Sequence, residues 1–163
     1  MRQMYCDLAI IGGGPAGLAA AVEAKRQGVQ RVLVIERDVA PGGILRQCVH
    51  DGFGLHRFGQ RMTGGQYAQV FIRQAEECGV ELLTDTMVLE VTPDRRVYAV
   101  GKGTGMLELR CGAIILAMGC RERPRGALNI AGTRPAGIYS AGTAQKLVNR
   151  KGYMPGKSVV ILG

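Results

Sequence analysis

Tryptophan is absent from this 163-residue sequence, phenylalanine occurs three times and histidine twice. With so few aromatics, a base-stacking platform for single-stranded nucleic acid is not expected. No stretch approaches the roughly 18 consecutive apolar residues of a membrane-spanning helix. Met1-Arg2-Gln3-Met4-Tyr5-Cys6-Asp7 lacks the apolar region and small-residue cleavage site of a secretory leader, so a cytoplasmic protein is expected. Cysteine is present but unpatterned: positions 6, 48, 78, 111 and 120 form no CxxC or CxxxxC. That spacing supports neither a zinc site nor a disulfide framework, and reduced thiols are the default. Acidic residues run out towards one end. Residues 1–120 are nearly balanced in charge, whereas residues 121–163 carry eight Lys or Arg against Glu122 alone, giving most of the net +8. Such a surface suits phosphates, an acidic neighbour or plain solvent. Its basic residues are dispersed among only Tyr139 and Tyr153, so no nucleic-acid partner is expected.

What the chain does have is 47% hydrophobic residues and 25 glycines that cluster rather than repeat every third position. Disorder and a collagen-like chain are both excluded. Cys6–Ile11 reads as a buried strand, Pro15 to about Gln27 as a helix stopped by Gly28, and Val32–Ile35 as a second buried strand. Strand, helix and strand within about 30 residues make a βαβ unit and imply a parallel sheet. A long glycine-rich connection, roughly 40–65, precedes a helix over Gln66–Cys78 and a strand over Val80–Leu83. From Met87 the period changes to two. Met87–Val91, Val97–Val100 and Met106–Leu109, separated by turn residues, predict an inserted three-stranded antiparallel meander. Ala113–Ala117 reads as another buried strand, and a helix is expected over Ala141–Asn149. The fold class is α/β, a Rossmann-like domain with that meander inserted.

The sharpest motif is Gly12-Gly13-Gly14-Pro15-Ala16-Gly17, a G-x-G-x-x-G between strand and helix. Gly12 would supply the unusual dihedrals of the turn, Gly14 would let a pyrophosphate approach the helix N-terminus, and Gly17 would let helix and strand pack closely. The next strand ends in Glu36, the acid expected about 20 residues on. A carboxylate there accepts ribose hydroxyls and repels a 2′-phosphate. FAD and NAD both satisfy this pattern.

These residues resemble the two-dinucleotide-domain flavoprotein reductases, the pyridine nucleotide-disulfide oxidoreductase superfamily. Three further segments carry the likeness. Pro41-Gly42-Gly43-Ile44-Leu45 resembles the family's Gly-Gly turn near the flavin. Ala117-Met118-Gly119 followed by Pro124 is similar to its A-T-G-x-x-x-x-P segment, with Met118 replacing Thr. Met62-Thr63-Gly64-Gly65-Gln66-Tyr67 leads into a helix in the register of the thioredoxin-reductase-like branch. The resemblance implies FAD held by Gly12, Gly14, Pro15, Ala16, Gly17, Glu36, Arg37, Gly43, Ile44, Ala117, Met118 and Gly119, with NAD(P) as a second cofactor of a full-length protein.

The departures concern the reaction. The glutathione-reductase-like branch has a CxxxxC beyond the Gly-Gly turn, where this chain has Cys48 alone. Thioredoxin reductase has a CxxC in the place of Ser140-Ala141-Gly142-Thr143, and hydroxyls cannot exchange with a disulfide. The chain therefore resembles more closely the FAD subunits of amino-acid or opine dehydrogenase complexes, which carry a similar Tyr/Phe-x-Ala-Gly-Thr-Ala-Gln stretch. That implies electron transfer between NAD(P)H and a substrate or partner through FAD; a non-catalytic electron-relay subunit is the alternative, and a plain NAD-binding domain a third. A homodimer or a place in a dehydrogenase complex would suit either.

Cys48, His50 and His56 lie in the long connection. They read either as flavin- or substrate-facing groups, the histidines moving protons and the cysteine acting as a thiolate, or as incidental side chains of a polar loop. The two histidines are not at helical ligand spacing, so no metal site is expected. The domain expectation is an FAD-binding domain over 1–125 without its C-terminal return, a connecting segment over 126–157, and at 158–163 the first strand of a truncated NAD(P)-binding domain.

Overall fold

A computed structural model describes residues 1–162 of the chain. The elements in order are β1 (Arg2–Ile11), α1 (Pro15–Arg26), β2 (Val32–Ile35), a 3-10 turn (Gly43–Gln47), α2 (Leu55–Phe58), α3 (Gly64–Glu77), β3 (Glu81–Leu83), β4 (Thr86–Val91), β5 (Arg96–Gly101), β6 (Gly105–Leu116), a second 3-10 turn (Arg125–Leu128) and α4 (Ala141–Lys151). The strands form one sheet in the order β3-β2-β1-β6-β5-β4. β3, β2, β1 and β6 run parallel, and β5 and β4 continue antiparallel.

Alternation along β1 sends side chains to opposite faces. Leu8 and Ile10 pack with Leu18, Ala21 and Val22 of α1 and Phe71 and Ala75 of α3. Ala9 and Ile11 join Leu33, Ile35, Val97, Ala99, Leu107 and Leu109 on the other face. The meander thus helps build the core that supports β1.

The structure differs from the sequence reading in three places. The expected strands at Met106–Leu109 and Ala113–Ala117 are one strand, β6, which is antiparallel to β5 and parallel to β1 along its length. Gly112, which sits in the supposed break, is a close-approach position: a Cβ there would lie 2.6 Å from Asp7 O. β1 correspondingly starts at Arg2 rather than Cys6, because Arg2–Tyr5 pair with Leu107–Arg110. Helix α3 starts two residues early because Thr63 and Gln66 form a capping box, Thr63 Oγ1 accepting from Gln66 N and Gln66 Oε1 from Thr63 N.

The long connection is largely structured. It holds the first 3-10 turn, α2, a Phe53–Met62 bridge and a tilted aromatic chain from His50 through Phe53, Tyr67, Phe58 and Phe71. Ser158–Leu162 form no strand, and Val159–Leu162 are exposed; an isolated segment has no strand edge to pair with. Gly163, the expected first glycine of a second fingerprint, lies outside the described residues. No helix among the described residues is long and apolar enough to cross a membrane.

Candidate dinucleotide site

β1 delivers its last residue, Ile11, to the C-terminal edge of the sheet, where the chain must reverse into α1. Gly12 makes that reversal at φ +109°, a region that disfavours a Cβ. Three consecutive glycines there each meet a different part of the chain. A Cβ on Gly12 would collide with Ala117 O, and Met118 Cα would be 3.3 Å away. Gly13 donates its N–H to Glu36 Oε2 at 2.8 Å, and its carbonyl accepts from Gly42 N at 2.7 Å. Gly14 lies against Gly43, whose own Cβ would be 3.0 Å from Gly14 Cα.

The motifs separated in sequence at 12–17, 36, 41–43 and 117–119 therefore converge on one loop. Ala117 is pinned there by its N–H to Ile11 O at 2.8 Å. Glu36 is buried, and both oxygens accept backbone N–H groups, Oε2 from Gly13 and Oε1 from Asp38 at 2.8 Å. Those two bonds fix the carboxylate at the end of β2. Arg37 beside it is exposed, as are Ile44, Met118 and Gly119.

Gly14 and Gly17 differ in what they exclude. A Cβ on Gly17 would collide with Gly12 O and sit 3.3 Å from Ile10, so its absence lets α1 close onto the strand. A Cβ on Gly14 would meet nothing within 4 Å, and the backbone there is ordinary extended, with φ −75° and ψ −175°. Helix α1 starts beside this open space with Pro15 at its first position, no side-chain cap and no acidic residue in its first turn. Free N–H groups and the positive end of the helix dipole thus face a volume that can hold an anion. The residues present fit a dinucleotide pyrophosphate, with Glu36 placed for a ribose.

The reactive candidates of the long connection are not assembled into a cluster. Cys48 Sγ contacts Ile44 O at 3.4 Å. His50 is exposed, with its ring 5.2 Å from that of Phe53. His56 lines a small cleft of about 330 Å³ with Pro15, Leu45, Phe53 and Tyr67, which puts it near the start of α1. A larger cleft of about 740 Å³ lies between the 39–46 turn and α3, away from the glycine loop, and includes Arg46 and Arg150. Ser140 Oγ and Thr143 Oγ1 are 2.9 Å apart at the start of α4.

Two groups of residues escaped the sequence reading. Gly13 holds Glu36, a role that the spacing of the fingerprint does not disclose. Gln47 is buried, and its Nε2 donates to Gly142 O at 3.1 Å and to Gln145 Oε1 at 2.8 Å. Asn149 Nδ2 donates to Gln47 O at 2.8 Å. Those contacts span about a hundred positions, and no local pattern signals them. The Cys6 and Cys111 thiols also meet, 3.7 Å apart in the sheet core. The hydrogen bond to Cys111, with burial, pushes the Cys6 thiol well up from its ordinary value.

The pyridine nucleotide-disulphide oxidoreductase family matches over residues 6–163. The large-chain relative from Agrobacterium tumefaciens (strain Ach5), an opine oxidase component, is 32% identical over 166 residues, covering 98% of this chain and 32% of that one. The alpha chain of sarcosine oxidase from Corynebacterium sp. (strain P-1) is 33% identical over 173 residues, covering 97% of this chain and 17% of that one. The crystal structure of L-proline dehydrogenase from P. horikoshii shares the fold, with a TM-score of 0.73 at 22% identity, covering 96% of this chain and 30% of that one. The chain thus spans about a third or less of the length of these relatives. Together with the convergence of its four motifs, the match leads to one conclusion: the chain belongs to the pyridine nucleotide-disulphide oxidoreductase family.

Proposed function

We propose that this chain is the FAD-binding part of an oxidoreductase that moves electrons between NAD(P)H and a substrate or partner through the flavin. The observation that carries the reading is the meeting of Gly12, Gly13 and Gly14 with Ala117, Glu36 and Gly43. Gly14 and the N-terminus of α1 would receive the pyrophosphate. Glu36 would accept the adenosine ribose hydroxyls, which favours a dinucleotide without a 2′-phosphate, and Arg37 flanks that position. Pro15, Ala16 and Gly17 form the first turn of the helix, and Gly43, Ile44 and Ala117–Gly119 form the side of the site towards the flavin ring. Bound FAD would supply the redox chemistry, while the chain supplies position and electrostatics.

A dithiol-disulfide reaction is not part of the reading. Ser140 and Thr143 present hydroxyls, and Cys6 and Cys111 are buried in the sheet. Residues 1–125 would form the FAD domain, 126–157 a connector, and 158–163 the entry to an NAD(P)-binding domain, where partner strands could pair with it. A cytoplasmic setting and a homodimer belong to the same reading. A second reading, an electron-relay subunit without its own substrate site, is favoured by the relatives being oxidase subunits.

The test is purification of the chain with flavin and comparison of Gly14→Ala with Gly17→Ala. Wild type should show the flavin absorption spectrum. Gly14→Ala should keep its stability within about 0.5 kcal/mol, because the new methyl meets open space, and lose at least about tenfold in FAD affinity. Gly17→Ala should lose about 1–3 kcal/mol of stability by overpacking. A chain that takes up no FAD, or Gly14→Ala that binds it as well as wild type, would overturn the assignment. In a protein extended through the second domain, reduction of a free acceptor by NAD(P)H without another subunit would favour the enzyme over the relay.

A further inference from the structure

Helix α4 sits on the site in an unusual way. None of its residues is buried, so apolar packing does not hold it. It is held by polar bonds to the turn that follows β2. Gln47 donates to Gly142 O and Gln145 Oε1, Asn149 donates to Gln47 O, and Arg150 pairs with Asp38 at 3.6 Å. Every one of these partners leads to the glycine loop in one or two steps. Gln47 ends the 3-10 turn that begins at Gly43, which lies on Gly14. Asp38 donates its N–H to Glu36 Oε1, and Glu36 in turn holds Gly13.

We infer that α4 is a polar latch on the dinucleotide site, with Gln47 as its positioning residue, and that docking of α4 and binding of FAD are thermodynamically coupled. The inference rests on the flavin reading and adds to it a control on how tightly the flavin is held. When α4 is docked, the Gly42–Gln47 turn is restrained in the geometry that lays Gly43 against Gly14. A pyrophosphate at Gly14 then meets a turn that needs no further ordering. By reciprocity, the same pyrophosphate holds the turn and so holds α4. A latch of hydrogen bonds suits this role, because each bond exchanges with water at small net cost whereas an apolar contact does not.

The experiment uses Gln145→Ala and Asn149→Ala in the 163-residue chain, with Arg150→Ala probing the Asp38 branch. All three lie on a helix with nothing buried, so the core is left intact, and thermal unfolding by circular dichroism verifies that. FAD affinity is read by quenching of flavin fluorescence, and α4 docking by limited proteolysis of the 119–140 segment with and without FAD. Each variant should weaken FAD binding about three- to tenfold, the effect of losing one or two such bonds. FAD should slow cleavage in wild type and protect the variants less. Equal FAD affinity in wild type and all three variants, or cleavage indifferent to FAD while FAD is bound, would overturn the coupling and leave the flavin site standing. Absence of FAD binding in wild type would overturn the flavin site and the coupling together.

Discussion

Residues 1–117 and residues 118–162 are built on different physics. The first stretch contains all the buried hydrophobic side chains, arranged in two clusters on opposite faces of one sheet. The second buries none and exposes Met118, Ile138, Tyr139, Tyr153 and Val159–Leu162. It is attached through side-chain hydrogen bonds and ion pairs, from Gln47 to Gly142 and Gln145, from Asn149 to Gln47, and from Arg150 to Asp38. Burial of an apolar side chain contributes about 1.5–3 kcal/mol, whereas an exposed polar pair contributes about 0–1 kcal/mol. The dinucleotide loop therefore stands on rigid ground, and what lies over it is held loosely. The lesson is that the binding residues and the residues regulating access to them have been given different stabilities.

Cysteine reactivity tests that contrast most severely. Cys120, at the start of the second region, is exposed, whereas Cys6 on β1 is 1% exposed, between β2 and β6. A thiol reagent on the native chain should modify Cys120 first. Cys6 should react at least about 10³-fold more slowly, through global opening. Raising the pH to about 8 should not rescue it, because the bond to Cys111 and burial hold its thiol protonated there. Mass mapping of the labelled peptides over time checks this. Comparable rates at the two positions would erase the difference between the regions.

How far the contrast was legible depends on the range of the interaction. The glycine loop, its helix and Glu36 could be read directly, since turn, helix start and acid follow one another within 25 residues and each residue type has a mechanical reason. The Thr63–Gln66 capping box was legible in principle, because T-x-x-Q is a local signal, yet the helix was expected to begin at Gln66. The continuity of β6 was not legible. Gly112 looks like an interruption in isolation, and only the closeness of Asp7 O shows that it is needed inside a strand. Gln47 was hidden for the same reason more strongly: a glutamine in a glycine-rich loop reads as solvated until α4 is placed on it. The placement of Cys48, His50 and His56 in the connection could be anticipated, whereas their scattering could not.

Truncation of side chains gives the next largest effect. Leu109→Ala removes a fully buried side chain that packs between β1 and β5, and should cost about 2–5 kcal/mol. Val148→Ala, on α4 at 40% exposure, should stay within about 0.5 kcal/mol. Denaturant unfolding of both variants measures the difference. A loss at Val148 as large as that expected at Leu109 would mean that α4 is held by packing after all, and the polar account of its attachment would have to be given up.

The smallest effect lies at the start of α4. Ser140, its N-cap, makes no side-chain capping bond to the backbone and instead shares its hydroxyl with Thr143. Glu122 supplies the cap from twenty residues away, both of its oxygens accepting from Gly142 N at 2.8 and 2.9 Å. A carboxylate there also meets the positive end of the helix dipole, and it tethers the segment leaving β6 to α4. Glu122→Gln keeps an acceptor but removes the charge, and Glu122→Ala removes both. Amide exchange in the first turn of α4 should accelerate about two- to fivefold in Glu122→Ala and less in Glu122→Gln. Because the pair is exposed, raising the salt concentration should shrink the gap between wild type and Glu122→Gln, leaving the hydrogen-bond share seen in Glu122→Ala. Exchange in β1 and β6 should not change in either variant, since nothing in the sheet depends on α4. Acceleration that spread into β1 would show that the two regions unfold together, and the division between a rigid floor and a loosely held cover would fail.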